Sequence, residues 1–256
     1  MGLTLAMTGK GGVGKTTLSA LTIEWLVAQG EKPVLAVDAD SNANLHEALG
    51  VGYQATVGGI RESAKSEVPG LQGMAKQEFL DLRVQEALVE ESGYDLIVMG
   101  RPEGRGCYCF ANNVLRDVLD KLSKQYRHVV VDSEAGLEHI SRRTLLSVDH
   151  LIIVSDASVR GLRTAKRISQ LADEVSLTAA SRGLIVNRVP DGILTDVLQE
   201  EVEATGLPLL AAIPLDPAIA AMDAGGMTVR SIPADAPARL VFTALLERLY
   251  HQNRRG

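Results

Sequence analysis

The sequence predicts an α/β fold: a doubly wound, mostly parallel sheet flanked by helices. Three observations predict it. Apolar, β-branched runs recur along the chain, amphipathic stretches of helical period separate them, and the first run empties into a glycine-rich loop. Runs that are apolar without alternation belong to strands buried on both faces, and right-handed crossovers place helices on those faces.

In order, the strands are expected at residues 3–8, 33–38, 94–99, 128–132, 150–155, 183–187 and 209–213. Helical patterns fall between or after them at 16–29, where Gly30 marks the stop, and at 110–125, 159–174, 193–205 and 239–251. The segment 52–77, rich in Gly, Ser and charge, breaks the alternation and is expected to form an irregular surface excursion. No Pro/Gly/Ser linker or charge block divides the chain, so residues 1–256 are expected to form one domain.

The charge balance narrows the classes of partner. With 26 Lys and Arg against 32 Asp and Glu, the net charge of -6 argues against a protein whose main affinity is for nucleic-acid phosphates. Arg142 and Arg143 read as a solvated face. No apolar run approaches the ~20 residues of a membrane span. The stretch 3–7 is too short for a signal peptide, and Ala6 stands where a myristoylation motif needs Ser or Thr. These features predict a cytoplasmic protein with no membrane partner.

After the first strand comes Gly9-Lys10-Gly11-Gly12-Val13-Gly14-Lys15-Thr16-Thr17, which fits the pattern G-x-x-x-x-G-K-[ST]. Glycines let successive backbone N–H groups converge on phosphate oxygens, and the helix that follows offers its positive end. Lys15 is expected against the β- and γ-phosphates, with the Thr16 hydroxyl in the shell of a Mg²⁺ ion. The cofactors predicted are therefore ATP and Mg²⁺, and the reaction is hydrolysis to ADP and phosphate. Val129-Val130-Val131-Asp132 is an apolar strand ending in a carboxylate, placed to hold Mg²⁺ through water.

With its second lysine, Lys10, this loop resembles the deviant Walker A form shared by MinD and ParA ATPases, the nitrogenase iron protein and metal-cluster maturation ATPases. That resemblance implies that Lys10 reaches the phosphates of a partner subunit in a homodimer. It also implies a first switch at Asp38-Ala39-Asp40-Ser41-Asn42, with Asp40 positioning the attacking water and Asp38 supporting Mg²⁺. The proline that commonly follows the second aspartate is replaced by Ser41. Ser133-Glu134-Ala135-Gly136 resembles the second switch, Gly136 allowing its backbone to turn. Asn187 matches the position that bonds the adenine edge, and Pro214 and Asp216 resemble the other wall of the base pocket.

Cys107 and Cys109 are the only cysteines, one residue apart between a strand and a helix pattern. Two thiolates do not complete a tetrahedral shell, whereas two copies brought together on a twofold axis supply four sulfurs, suited to Ni²⁺, Zn²⁺ or an iron–sulfur cluster. Cys107-Tyr108-Cys109-Phe110-Ala111-Asn112-Asn113 and the run from Asp132 to His139 resemble the CooC-type ATPases. These assist nickel insertion into carbon monoxide dehydrogenase, and they have acetyl-CoA synthase counterparts. The resemblance implies one of those two enzymes as client and runs from Leu3 to about Leu249; His139 reads as a surface histidine. Two other classes stay open: a positioning or partitioning ATPase, for which 240–255 is a candidate membrane-surface helix, and an iron–sulfur electron-transfer ATPase. A final helix packed on the sheet is the expectation for 240–255, with Leu240, Val241, Leu245, Leu246 and Leu249 as its apolar stripe.

Overall fold

The computed structural model describes residues 2–60, 82–100, 122, 125–135, 147–175 and 177–255. Within them lie eight strands: β1 (Leu3–Gly9), β2 (Val34–Ala39), β3 (Val89–Glu90), β4 (Tyr94–Val98), β5 (His128–Ala135), β6 (Ser147–Asp156), β7 (Thr178–Val189) and β8 (Leu209–Pro214). They form one sheet in the order β3-β4-β2-β5-β1-β6-β7-β8. Every neighbouring pair is parallel except β3 with β4.

Helices with fully described bounds flank the sheet: α1 (Lys15–Ala28), α2 (Leu45–Leu49), α3 (Val159–Glu174), α4 (Asp196–Thr205), α5 (Pro217–Gly225) and α6 (Pro237–Arg255). Successive strand residues feed opposite cores, which is why the runs are apolar throughout. Val34 and Ala36 join Leu18, Ile23, Phe242 and Leu245 on one face. Leu35 and Val37 join Leu162, Ala165, Ile168 and Val202 on the other. The buried residues of α3, Leu162, Ala165, Ile168 and Ala172, recur at helical spacing.

All seven expected strands are present, and β6 and β7 begin earlier than expected because their first residues continue the ladder from Ser147 paired with Thr178. Helix α3 matches its expected bounds. The helix expected from 193 starts later, at Asp196, because Pro190–Gly192 forms a separate 3₁₀ turn with Asp191 at φ 53. In α6 the apolar stripe is Ala238, Phe242, Leu245, Leu246, Leu249 and Tyr250; Leu240 and Val241 face outward instead. This buried stripe packs α6 against α1 and β8. In the segment expected to be irregular, residues 57–60 form a helical turn whose Val57 and Ile60 are buried, and 61–77 lie outside the described residues. The helix pattern at 110–125 also falls outside them, apart from Leu122 and Gln125. No helix among the described residues is long and apolar enough to cross a membrane.

The chain leaves β1 toward β2 on one side, then continues from β6 to β7 and β8 on the other. The reversal falls at β1, and ligands of open parallel sheets bind at the strand ends beside such a reversal.

Candidate nucleotide site

The phosphate loop joins β1 to α1 at that reversal. Its backbone is one that side chains resist: Gly9, Gly12 and Gly14 have φ 151, 77 and 93. Gly9 is further constrained, since a Cβ there would stand 2.1 Å from the Val154 carbonyl oxygen on β6. Gly11, Gly12, Gly14, Lys15, Thr16 and Thr17 line a chamber of about 430 Å³ shared with Asp40, Asn42, Asn44, Glu47, Arg188 and Asp223. The Lys15 side chain is buried and its Nζ donates to the Lys10 carbonyl oxygen at 3.1 Å, closing the loop on itself. Lys10 is exposed. Val13 turns its side chain into the core, so its contribution to the site is its backbone.

Beneath the chamber two carboxylates meet. Asp38 on β2 and Asp132 on β5 are register partners, and both are buried. Thr16 Oγ1 donates to Asp132 Oδ2 at 2.7 Å and Ser19 Oγ to Oδ1 at 3.3 Å. Asp38 accepts the N–H groups of Asp40, at 3.1 Å, and Leu45, at 2.9 Å. Burial pushes the Asp38 carboxyl up to about 7, the charge of Asp132 adding to the rise and the two N–H groups opposing it. Burial likewise pushes Asp132 up to about 6, held back by the Thr16 hydroxyl and the charge of Lys15. Two crowded carboxylates, one of them bonded to a hydroxyl that faces the phosphate chamber, form an oxygen-only donor set that fits Mg²⁺. Among the described residues no three His, Cys, Asp or Glu side chains converge as a metal cage. Mg²⁺ asks for none, because phosphates and water fill most of its shell.

Asp40 lines the chamber, and its Oδ1 accepts the Asn42 N–H at 2.8 Å. This Asx turn, followed by Ala43 at φ 54, closes the loop at Ser41, where the sequence lacks a proline. Asn44 then opens the short helix α2, which the strand and helix pattern did not reveal although Asn44 and Gly50 bracket it as cap residues.

A second chamber of about 510 Å³ adjoins the first, lined by Gly14, Thr17, Leu18, Asn187, Arg188, Pro214, Leu215, Asp216, Ile219 and Asp223, among others. Gly14, Thr17, Arg188 and Asp223 border both. Asp216 is engaged at both oxygens, accepting Ala218 N–H at 2.9 Å and Ala238 N–H at 3.0 Å, and so fixes the starts of α5 and α6. Arg188 and Asp223 approach to 3.6 Å across the junction of the chambers. The sequence offered no motif for Arg188, Asp223, Ser19 or Glu47; they join the site only through the fold. Cys107, Cys109, Gly136 and His139 lie outside the described residues.

A glycine loop opening a helix at the sheet's reversal, with acidic strand ends below and a mixed polar and apolar chamber beside it, defines a P-loop nucleotide-binding protein. The chain belongs to the family described as the CobQ/CobB/MinD/ParA nucleotide binding domain, which matches residues 4–229. It is 44% identical over 234 residues to an uncharacterized ATP-binding protein of Methanocaldococcus jannaschii, covering 90% of this chain and 91% of that one. It is 32% identical over 265 residues to the carbon monoxide dehydrogenase accessory protein CooC of Rhodospirillum rubrum, covering 96% and 97%. Among solved structures, the cell division ATPase MinD of Pyrococcus furiosus superposes with a TM-score of 0.71 at 23% identity, covering 98% of this chain and all of that one. At that identity the likeness is one of fold.

Proposed function

We propose that this chain is an ATP-hydrolysing maturation factor that works in the cytoplasm as a nucleotide-gated homodimer and assists nickel insertion into carbon monoxide dehydrogenase or acetyl-CoA synthase. The observation that carries the reading is the 32% identity to CooC sustained over 96% of the chain, on a site whose geometry suits a nucleoside triphosphate.

The chain's own residues divide the work. Backbone N–H groups of the glycine loop bind the phosphates, and Lys15 leaves the Lys10 carbonyl to meet the β- and γ-oxygens. Thr16, Asp38 and Asp132 hold the Mg²⁺ side, the aspartates through water. When bound, Mg²⁺ supplies positive charge beside the β- and γ-phosphates. Asp40, at the chamber edge, orients the attacking water. Asn187, Pro214 and Asp216 shape the base pocket. Lys10, exposed in the single chain, crosses to the partner's phosphates, so triphosphate draws two copies together only insofar as it binds the closed pair more tightly.

Cys107 and Cys109 of two copies then form one four-sulfur site for Ni²⁺ or Zn²⁺, and hydrolysis releases it. Replacing both cysteines by alanine is expected to remove about one divalent ion per dimer while ATP binding persists. Metal analysis of anaerobically purified dimer, beside activation of the metal-free client, checks this; metal retained at that ratio by the double variant contradicts the shared site. A coloured, cluster-bearing dimer would favour electron transfer instead.

A further inference from the structure

Asn187 is the last of five consecutive buried residues of β7, and both ends of its side-chain amide are engaged by its own chain. Nδ2 donates to the Val13 carbonyl oxygen of the phosphate loop at 2.8 Å, and Oδ1 accepts the Arg188 N–H at 2.9 Å. Those partners fix which end is which, because a carbonyl must face the NH₂ group and an N–H must face the oxygen. Asn187 is 7% exposed, so bulk water competes little for either bond. The contact also dictates its neighbour: a Cβ on Gly14 would stand 2.5 Å from Nδ2, and Gly14 has φ +93. Arg188 adopts φ 58, a region unfavourable for a long side chain, in the same turn that presents its N–H to Oδ1.

The consequence follows from peptide geometry. The Val13 carbonyl and the Gly14 N–H belong to one planar trans peptide and point in opposite directions. Drawing the carbonyl toward Asn187 turns the Gly14 N–H away from it, and Gly14 borders the phosphate chamber as well as the base chamber. An asparagine amide has two N–H bonds and two lone pairs, so one donor and one acceptor remain after the bonds to Val13 and Arg188. A donor beside an acceptor is the complement of the N7 and N6 edge of adenine.

We propose that Asn187 is a positioning residue that joins the two halves of the nucleotide site, holding the phosphate loop through Val13 while it offers its remaining donor and acceptor to the base. This rests on the reading of the chambers as an ATP site. It differs from a residue that only reads the base, which would have no bearing on phosphates presented alone.

Mg·tripolyphosphate, which has no base, separates the two. Asn187→Asp keeps the size of the side chain and the acceptor for Arg188 but sets an oxygen against the Val13 carbonyl. Calorimetry on the full chain is expected to show tripolyphosphate binding about tenfold weaker in Asn187→Asp, with Asn187→Ala changed in the same direction. At saturating Mg·ADP the ³¹P resonance of the β-phosphate is expected to move, which a general loss of fold stability would not cause. Unchanged tripolyphosphate affinity and an unmoved resonance, with only the preference for ATP over GTP reduced, overturn the joint and leave a base reader. Where the aspartate variant does not fold, Asn187→Ser is held to the same two outcomes. A wild-type chain that binds neither Mg·ATP nor tripolyphosphate overturns the nucleotide reading itself, and the inference with it.

Discussion

Asp38 and Asp132 are buried side by side on paired strands, and each holds its proton to a higher pH than an ordinary aspartate. A carboxyl whose folded value is raised stabilises the fold below its unfolded value of 3.8 and loses that contribution as pH rises through about 6 for Asp132 and about 7 for Asp38. Without nucleotide and Mg²⁺, the protein is therefore expected to lose stability between about pH 4 and pH 7 in thermal melts. Asp132→Asn removes one of the two charges, keeps an acceptor for the Thr16 hydroxyl and sets an NH₂ donor against the Ser19 hydroxyl oxygen, which can accept it. It is expected to raise stability at pH 8 by about 1–3 kcal/mol while abolishing the Mg²⁺ dependence of nucleotide binding. A variant that melts below wild type at pH 8 would count against the crowding of charge. At this scale the loop from Gly9 to Thr17 and the acidic strand ends were legible, because phosphate and Mg²⁺ chemistry ties residue type to fixed spacing. Ser19, Arg188 and Asp223 were not, since a buried serine, an arginine after a strand and an acid on a helix carry no spacing signature until the sheet brings them together.

The second chamber, proposed to hold the base, depends on elements rather than on single contacts. Asp216 accepts the first N–H groups of both α5 and α6, so one carboxylate sets the start of α5, which walls the chamber, and of α6, which covers the sheet. Asp216→Ala is expected to cost about 2–3 kcal/mol by denaturant titration, the sum of two lost caps, and to weaken ATP binding because Ile219 and Asp223 ride on α5. A variant within 0.5 kcal/mol of wild type, an order-of-magnitude bound for neutral surface changes, would show that the caps are redundant. Seven of the eight described strands were legible because burial on both faces leaves no alternation to misread; β3, two residues at the sheet edge, was not. Helix α2 was not: its five residues are too few for a period, and only Asn44 and Gly50 mark it. The start of α4 was misplaced because Ile193 and Leu194 continue the helical pattern, while Asp191 at φ 53 breaks the helix geometry before it.

The whole molecule presents a nucleotide site with an exposed Lys10 and a carboxylate, Asp40, at the chamber edge. In one chain alone Lys10 has no phosphate to serve across an interface, and the two cysteines of one chain do not complete a metal shell. The pairing of two copies is proposed through resemblance alone, because a single chain's periodicity records its own core and not a surface shared with a twin. Triphosphate is proposed to close two copies around Lys10. The most direct test of that closure is light-scattering mass determination on Asp40→Ala with Mg·ATP, set beside the same variant with Mg·ADP and beside Lys10→Ala with Mg·ATP. A dimer is expected for the first and monomers for the other two; a monomer in all three, with ATP demonstrably bound, would contradict nucleotide-driven closure.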